Sequence, residues 1–117
     1  MIIVLNLFDI VPGRERQYAQ YLRRVQPILD RHAARVLVYG LTRQVYKGDC
    51  TQGYCGIIAY PTLDHLRRLS HDPQFVAIVP LRDESTANYA LTAIEGFPTM
   101  MDAVHYLEKN GAARVSS

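Results

Sequence analysis

The apolar residues at the start of the chain follow the two-residue alternation of a β-strand. Residues 2–11 are rich in Ile, Val, Leu and Phe, the residue types that pack well on a pleated sheet. Alternation divides their side chains between two faces, with Ile2, Val4, Asn6 and Phe8 on one and Ile3, Leu5, Leu7 and Asp9 on the other. We therefore predict a first strand that carries apolar residues on both faces.

The next segment has the three- and four-residue spacing of an amphipathic helix. Between Arg14 and Ala34 the apolar positions recur about one helical turn apart, at Tyr18, Tyr21, Leu22, Val25, Ile28 and Leu29. Pro27 lies inside this helix. We expect it to bend or break the helix, because proline removes one backbone donor.

Two further apolar runs predict a pair of neighbouring strands. The first run covers residues 35–46 and the second covers residues 54–60. The polar, glycine-containing connection from Lys47 to Gly53 is short. We therefore expect the two strands to form an antiparallel hairpin.

The segment after the hairpin predicts an interrupted helix and a last strand. Thr62 is a suitable N-cap for the helix, and Asp72 with Pro73 can restart it after an interruption. Residues 89–95 have the composition of a fourth strand. A short additional helix is predicted to begin at Thr99.

The order strand-helix-strand-strand-helix-strand defines an α+β fold of the ferredoxin-like βαββαβ type. We expect a four-stranded antiparallel sheet with the helices on one face. The first and third strands are expected to be central neighbours that run parallel through a right-handed helical crossover. Residues 1–98 would form this domain, and residues 99–117 a short C-terminal helix and a tail.

The apolar character of both sheet faces bears on the oligomeric state. Val4 and Ile58 fall on one face, whereas Leu5 and Ile57 fall on the other. Helices on one side would leave the second apolar face in water. We therefore expect a homodimer in which two sheets pack face to face into an α/β barrel.

Composition and charge exclude several classes of partner. Of the 117 residues 49% are hydrophobic and 21% charged, and the net charge is +2, as in an ordinary globular domain. The basic residues are scattered, so no nucleic-acid partner is predicted. The apolar N-terminal run is far shorter than the ~20 residues of a membrane helix and lacks the basic start of a signal peptide. We expect a cytoplasmic protein without a membrane partner.

Several short segments resemble the DUF1330 family of dimeric α/β-barrel proteins. Between residues 2 and 97 they are AARVLVYG, YKGD, AYPTLDHL, DPQF and PLRDEST. The chain is similar, more distantly, to antibiotic-biosynthesis monooxygenase-like and haem-degrading proteins. The first resemblance implies the fold and the dimer. The second implies a pocket between sheet and helices, in which many members act without a metal or an organic cofactor.

Asn6 and His71 are candidate catalytic residues. The resemblance implies that the strand-one asparagine can hydrogen-bond a ligand oxygen, and the alternative is that its amide pairs with a neighbouring backbone group. His71 lies at the helix interruption, where it could move a proton near neutral pH. The alternative for His71 is an exposed loop histidine.

Arg82, the third candidate, lies in the segment PLRDEST and matches an arginine of the resembled family. Its planar donor fork could hold a carboxylate or an enolate. The alternative is a structural ion pair with Asp83, Glu84 or Glu95.

A wider set of residues is expected to line a pocket for an apolar or aromatic ligand: Phe8, Tyr39, Tyr60, His65, Phe75 and Glu95. Tyrosines half-buried in a sheet can equally be packing residues. The histidines lack metal-ligand spacing and no nucleotide-binding motif occurs, so neither a metal nor a cofactor is predicted. The absence of Trp argues against haem degradation, since the haem-degrading relatives commonly use a cavity Trp.

The sequence therefore predicts a dimeric small-molecule-binding protein of a biosynthetic or catabolic, secondary-metabolite-type pathway. As a cofactor-independent enzyme it would act on an enolisable apolar or aromatic ligand, with His71 moving the proton and Asn6 and Arg82 stabilising the oxyanion. The alternative is a non-catalytic ligand carrier or an accessory protein for a pigment or antibiotic pathway enzyme. An enzyme should have an enclosed cavity with at least two convergent titratable groups, and an accessory protein a filled interior or an exposed apolar patch.

Overall fold

The computed structural model describes the backbone of residues 1–115 and the side chains of residues 1–111. Its elements are β1 (Ile2–Ile10), α1 (Glu15–Arg31), β2 (Arg35–Leu41), β3 (Tyr54–Tyr60), α2 (Leu63–His71), α3 (Pro73–Ser85), β4 (Thr86–Glu95) and α4 (Met100–Val115). The predicted βαββαβ order is confirmed, with the second helix divided in two. The predicted C-terminal helix is longer than expected and covers part of the predicted tail, whose last two residues lie outside the described part of the chain.

The four strands form one sheet in the order β2-β3-β1-β4. β1 pairs with β3 and with β4, and β2 pairs with β3, in each case antiparallel. The predicted antiparallel sheet is thus confirmed, but the expectation that the first and third strands run parallel is wrong. The crossover through α1 leads from β1 to β2, which run in the same direction, and β3 inserts between these two strands.

The alternation divides β1 into its two observed faces, and these faces differ in burial. Its first face lies under the helices, where Ile2, Val4, Asn6 and Phe8 are all buried. Ile3, Leu5 and Leu7 point to the helix-free face and are half-buried. α1 closes the core with its own buried stripe, formed by Tyr18, Tyr21, Val25, Ile28 and Leu29.

Pro27 does not break α1, which is one helix from Glu15 to Arg31. A proline inside a helix costs ~3 kcal/mol. Val25 and Ile28 flank it and are both buried, and burying each such side chain contributes ~1.5–3 kcal/mol. Core packing on both sides of the proline therefore outweighs the missing backbone hydrogen bond.

The strand boundaries depart from the predicted ones at β2 and β4. β2 ends at Leu41, and the connection to β3 is closed by a 2.8 Å hydrogen bond from the Thr42 N–H to the Gly53 carbonyl. β4 begins at Thr86, directly after α3. Asn88 has a positive φ of 53°, and the β1–β4 register shifts beside it. This irregularity explains why the start of β4 lacks a recognisable strand pattern.

Asp72 separates α2 from α3, as predicted, and ties both to the end of α1. Its carboxylate accepts a 2.9 Å hydrogen bond from the backbone N–H of Gln74, which caps α3. The other carboxylate oxygen accepts a 3.0 Å hydrogen bond from Arg31 and lies 2.7 Å from Nε2 of His32. One side chain therefore caps α3 and links the break between α2 and α3 to the end of α1.

α4 extends away from the rest of the domain, and no other described helix or strand shares an extended interface with it. Its main ring contact is with the preceding loop, where the Phe97 and Tyr106 centroids lie 5.3 Å apart. The radius of gyration of 16.5 Å exceeds the ~13 Å of a compact chain of this length. Neither α4 nor any other helix in the described part of the chain is long and apolar enough to cross a membrane.

We predict that the stabilising effect of the Asp72 charge disappears in acid. Hydrogen bonds from His32, from the Gln74 N–H and from Arg31 lower the pKa of Asp72 to about 2. A lowered folded-state pKa stabilises the fold above the ordinary pKa of about 4, and this stabilisation is lost as the pH falls towards 2. Asp72→Asn keeps a capping oxygen but removes the charge.

Urea unfolding of the wild type and Asp72→Asn at a series of pH values tests this prediction. The wild type should have the higher free energy of unfolding at neutral pH, and the difference should shrink between about pH 4 and pH 2. A difference that does not change over this range would contradict the assigned role of the charge.

Candidate functional site

A cavity of about 410 Å³ lies between the sheet and the helices α1, α2 and α3. Its volume is in the range of small-molecule sites, ~300–1,000 Å³. The aliphatic part of the lining comes from every strand and from two helices: Val4, Val36, Ile58, Leu91, Leu22, Val25, Leu29, Leu66 and Leu69. The cavity is therefore suited to an apolar ligand.

Gly56 shapes the floor of this cavity. It pairs with Asn6 across β1 and β3 and with Tyr39 across β2 and β3. A Cβ atom at Gly56 would lie 2.6 Å from Cε2 of Tyr39, closer than carbon atoms can approach. The absence of a side chain here lets the Tyr39 ring lie across the sheet.

Five tyrosines line the cavity, namely Tyr18, Tyr21, Tyr39, Tyr60 and Tyr89. The Tyr18 and Tyr39 hydroxyls hydrogen-bond to each other. Tyr89 donates a 2.8 Å hydrogen bond to Oδ1 of Asn6. Tyr60 is 3% exposed. Its hydroxyl has no hydrogen-bond partner among the described residues, and since no fully buried polar side-chain atom there is unpaired, this oxygen keeps some accessible surface.

These phenols stay neutral near physiological pH. Burial raises the pKa of Tyr39 to about 12, and burial also raises the pKa values of Tyr18, Tyr60 and Tyr89. Removal from water disfavours the phenolate form in each case. The hydroxyls can therefore exchange hydrogen bonds with a ligand, but they cannot act as bases.

Arg82 is the one charged side chain that lines the cavity, within the described residues. Its Cζ atom lies 5.2 Å from the centroid of the Tyr89 ring, a cation–π contact. Its Nε donates a 3.0 Å hydrogen bond to Asp83, so the alternative of a structural ion pair is present as well. The Arg82 side chain is 19% exposed and that of Asp83 is 59% exposed.

Asn6 also lines the cavity, but its amide is already engaged. Nδ2 donates a 3.2 Å hydrogen bond to the Gly56 carbonyl, and Oδ1 accepts from Tyr89. This geometry supports the alternative of a structural amide. One N–H of the amide is left over for a ligand.

The other predicted pocket residues divide into two groups. Tyr39, Tyr60 and Phe75 line the cavity. Phe8 is 0% exposed and lies in the core, stacked on Tyr54 and Tyr89 at centroid distances of 5.8 and 5.3 Å. It supports the aromatic cluster without forming part of the cavity surface.

His71, His65 and Glu95 lie outside the cavity lining. The exposed His71 ring turns back onto its own helix, with Nδ1 2.8 Å from the Arg67 carbonyl. His65 Nδ1 lies 2.8 Å from the Thr62 hydroxyl. Glu95 borders a separate cleft beside Phe97. The structure therefore does not bring His71 together with Asn6 and Arg82, and the expected catalytic group is not assembled.

The sequence analysis missed Tyr18, Tyr21 and Tyr89 as site residues. Tyr18 and Tyr21 belong to the apolar stripe of α1, where they were assigned to packing alone. The residue type itself could have indicated their role, because a buried tyrosine hydroxyl needs a polar partner or contact with water. Two such residues one turn apart on a core-facing helix indicate a cavity wall that contains hydroxyl groups.

The chain belongs to the family described as domain of unknown function DUF1330, which matches residues 7–97. A search of the curated proteins finds no match. The family assignment confirms the resemblance drawn from the short sequence segments.

Solved structures with the same fold extend this comparison. A protein of unknown function from Rhodopseudomonas palustris is 20% identical with a TM-score of 0.74, covering 84% of this chain and 83% of that chain. SnoaB, a cofactor-independent oxygenase from Streptomyces nogalater, is 15% identical with a TM-score of 0.62, covering 84% and 94%. An uncharacterized NIPSNAP domain protein from Burkholderia xenovorans is 16% identical with a TM-score of 0.62, covering 84% and 96%. At these identities the likeness establishes the fold.

We predict that Asn6 and Tyr89 stabilise the sheet as a coupled pair. Asn6→Ala should lower the free energy of unfolding by about 1–3 kcal/mol, because the Gly56 carbonyl and the Tyr89 hydroxyl both lose a partner. Tyr89→Phe should cost about 1 kcal/mol. Urea unfolding of both single variants and of the double variant measures the coupling, which should be about 0.5–1.5 kcal/mol. Strict additivity would contradict the pair.

Proposed function

We propose that this protein is a dimeric small-molecule-binding protein that holds an apolar, aromatic ligand between its sheet and helices, in a biosynthetic or catabolic pathway. The observation that carries the proposal is the cavity of about 410 Å³ with its apolar and tyrosine lining. A sequence selected only for stability would fill such a space, since unfilled core volume is destabilising.

The ring content of the lining favours an aromatic ligand over an aliphatic one. Tyr39, Tyr60, Tyr89 and Phe75 present four rings to the same space. Aromatic pairs in offset or edge-to-face contact contribute ~0.5–1.5 kcal/mol beyond the area that they bury. A planar ligand can make several such contacts at once.

Binding without catalysis is the version that the lining supports best. Apart from Arg82 and the five neutral tyrosines, the described lining contains no titratable side chain. A general base needs a pKa near the working pH and hydrogen-bond reach of the proton that it removes. The protein therefore acts as a ligand carrier or as an accessory protein that delivers a pathway intermediate.

A cofactor-independent reaction on an enolisable ligand is the second candidate function. Arg82 favours it, because a fixed guanidinium in a water-poor cavity can stabilise an enolate oxygen. His71 has no part in this version, since it lies outside the cavity. Because the described lining contains no base, the ligand would have to give its proton to water and bind as the preformed enolate. SnoaB, described as a cofactor-independent oxygenase, has the same fold.

A second copy of the chain is the proposed occupant of the helix-free face. Leu5, Leu7 and Ile57 are half-buried there, and Val38 and Ile94 are 49% and 43% exposed. Four strands about 4.8 Å apart and about seven residues of 3.3 Å rise give a face of roughly 450 Å². A standard interface buries about 800 Å² per partner. The sheet face alone is therefore smaller than a standard interface. We propose that α4, whose Met100, Met101 and Leu107 are exposed, contributes the rest of the buried area.

We predict a dimer at micromolar concentration, with a mass twice the 13.3 kDa of the chain. Leu5→Asp should convert it to a monomer or prevent folding, because a carboxylate would lie in the centre of the apolar face. Gln20→Asp, at an exposed position of α1, is the matched control. Light scattering after size exclusion gives the mass and circular dichroism reports folding. A folded wild-type monomer would contradict the dimer.

We predict that the neutral fluorescent probe N-phenyl-1-naphthylamine binds in the cavity. Leu91 lines it and is 59% exposed, so Leu91→Trp should obstruct the space and lower probe affinity at least tenfold. Leu63 is 60% exposed but lies outside the lining, and Leu63→Trp should leave the affinity unchanged. Fluorescence titration measures both. A wild type that binds no probe would contradict the proposed function.

A further inference from the structure

Arg82 introduces a positive charge that the cavity does not balance. Within the described lining, no Asp or Glu faces the guanidinium. Its ion-pair partner Asp83 binds Nε and is itself 59% exposed. The terminal nitrogens of Arg82 form no ion pair with a described residue. Asp83 already pairs with Nε, and the Tyr21 hydroxyl hydrogen-bonds to the guanidinium. Because neither places a negative charge in the cavity lining, an anionic ligand oxygen would be a second charge partner for this largely buried cation.

Tyr60 offers a second point of recognition. Its side chain is buried, with 3% of the residue exposed, and it lines the cavity. Its hydroxyl has no hydrogen-bond partner among the described residues. No fully buried side-chain oxygen or nitrogen among the described residues lacks a partner, so the Tyr60 oxygen keeps accessible surface. Because Tyr60 lines the cavity, a ligand oxygen can accept a hydrogen bond from it.

Tyr60 belongs to β3 in the sheet, whereas Arg82 belongs to the helix α3. Tyr60 pairs with Ile2 at the start of β1. Arg82 stacks on Tyr89, whose hydroxyl binds Asn6, four residues further along β1. Ile2 and Asn6 are about 13 Å apart along β1, so the two points lie towards different ends of the cavity. The lining between the two points is mainly aliphatic and aromatic.

We propose that the ligand is an elongated, apolar monoanion with a neutral oxygen at its opposite end. Its acidic oxygen, as a carboxylate, phenolate or enolate, binds Arg82, and its neutral oxygen accepts a hydrogen bond from Tyr60. The assignment rests on the proposed function, because it concerns the same cavity. A lone cation disfavours cationic ligands and is insufficient for phosphorylated ones. The mainly apolar lining disfavours sugars.

Two probes that share one skeleton test the charge. 8-Anilinonaphthalene-1-sulfonate is an anion, and N-phenyl-1-naphthylamine is the same molecule without the sulfonate. The wild type should bind the anion at least tenfold more tightly in fluorescence titrations. Arg82→Met should remove this preference and change the affinity for the neutral probe by less than twofold. Arg67→Met is the control, since Arg67 is 71% exposed and pairs with Asp64 on the outer surface of α2.

A second pair of probes tests Tyr60. 6-Methoxy-2-naphthoate and 6-methyl-2-naphthoate carry the same carboxylate, but only the first has an acceptor oxygen at the far end. Calorimetry should show that the wild type prefers the methoxy compound about fivefold. Tyr60→Phe should abolish this preference while retaining binding of the methyl compound.

The outcomes separate this inference from the proposed function. If the neutral probe binds but the anion is not preferred, or if Arg82→Met weakens both naphthylamine probes equally, the monoanion assignment is overturned and the cavity remains a binding site. If Tyr60→Phe keeps the methoxy preference, the second recognition point is overturned. If no probe binds the wild type, both the ligand class and the proposed function fail.

Discussion

The position of β1 between β3 and β4 is the constraint on which the rest of the structure depends. Every side chain of β1 is committed to one face, so a register slip of one residue would exchange the two faces. In the observed register Asn6 lies opposite Gly56. This pairing creates the space for the Tyr39 ring and places a buried amide where Tyr89 can bind it. The floor of the cavity is thus a consequence of strand register. The helices α1, α2 and α3 supply the rest of its lining.

The fold could be predicted because local patterns agree with the tertiary structure. Alternation divided the side chains of β1 correctly between its two faces, and the capping chemistry of Asp72 and Pro73 located the break between α2 and α3. The relative direction of β1 and β3 could not be obtained in this way. It depends on which strand inserts between β1 and β2, a non-local choice that leaves no trace in hydrophobic periodicity. Likewise, α1 continues through Pro27 because the neighbouring Val25 and Ile28 are buried. Intrinsic helix propensity carries no information about such tertiary packing.

The candidate site was predicted in part, and the division has a physical basis. Tyr39 and Tyr60 lie on strands and could be placed near the cavity because side-chain directions follow from the regular backbone. Arg82 was proposed from the resemblance to the family. His71 lies at a helix end, where the direction of a side chain depends on local hydrogen bonding. Its ring hydrogen-bonds to the Arg67 carbonyl of its own helix. His71 is therefore near the cavity in sequence, but its side chain does not line the cavity.

The contact between Tyr39 and Gly56 has a consequence for how ligand preference can diversify within this fold. The Tyr39 ring occupies the space that a Cβ atom at Gly56 would fill. Tyr39 is 40% exposed. Replacing it with a shorter side chain would deepen the binding space without moving a strand, whereas any larger residue at Gly56 would expel the ring. The pair Tyr39 and Gly56, on the adjacent strands β2 and β3, therefore sets the depth of the cavity. Substitutions at these two positions can change the size of the ligand that fits while the fold stays the same.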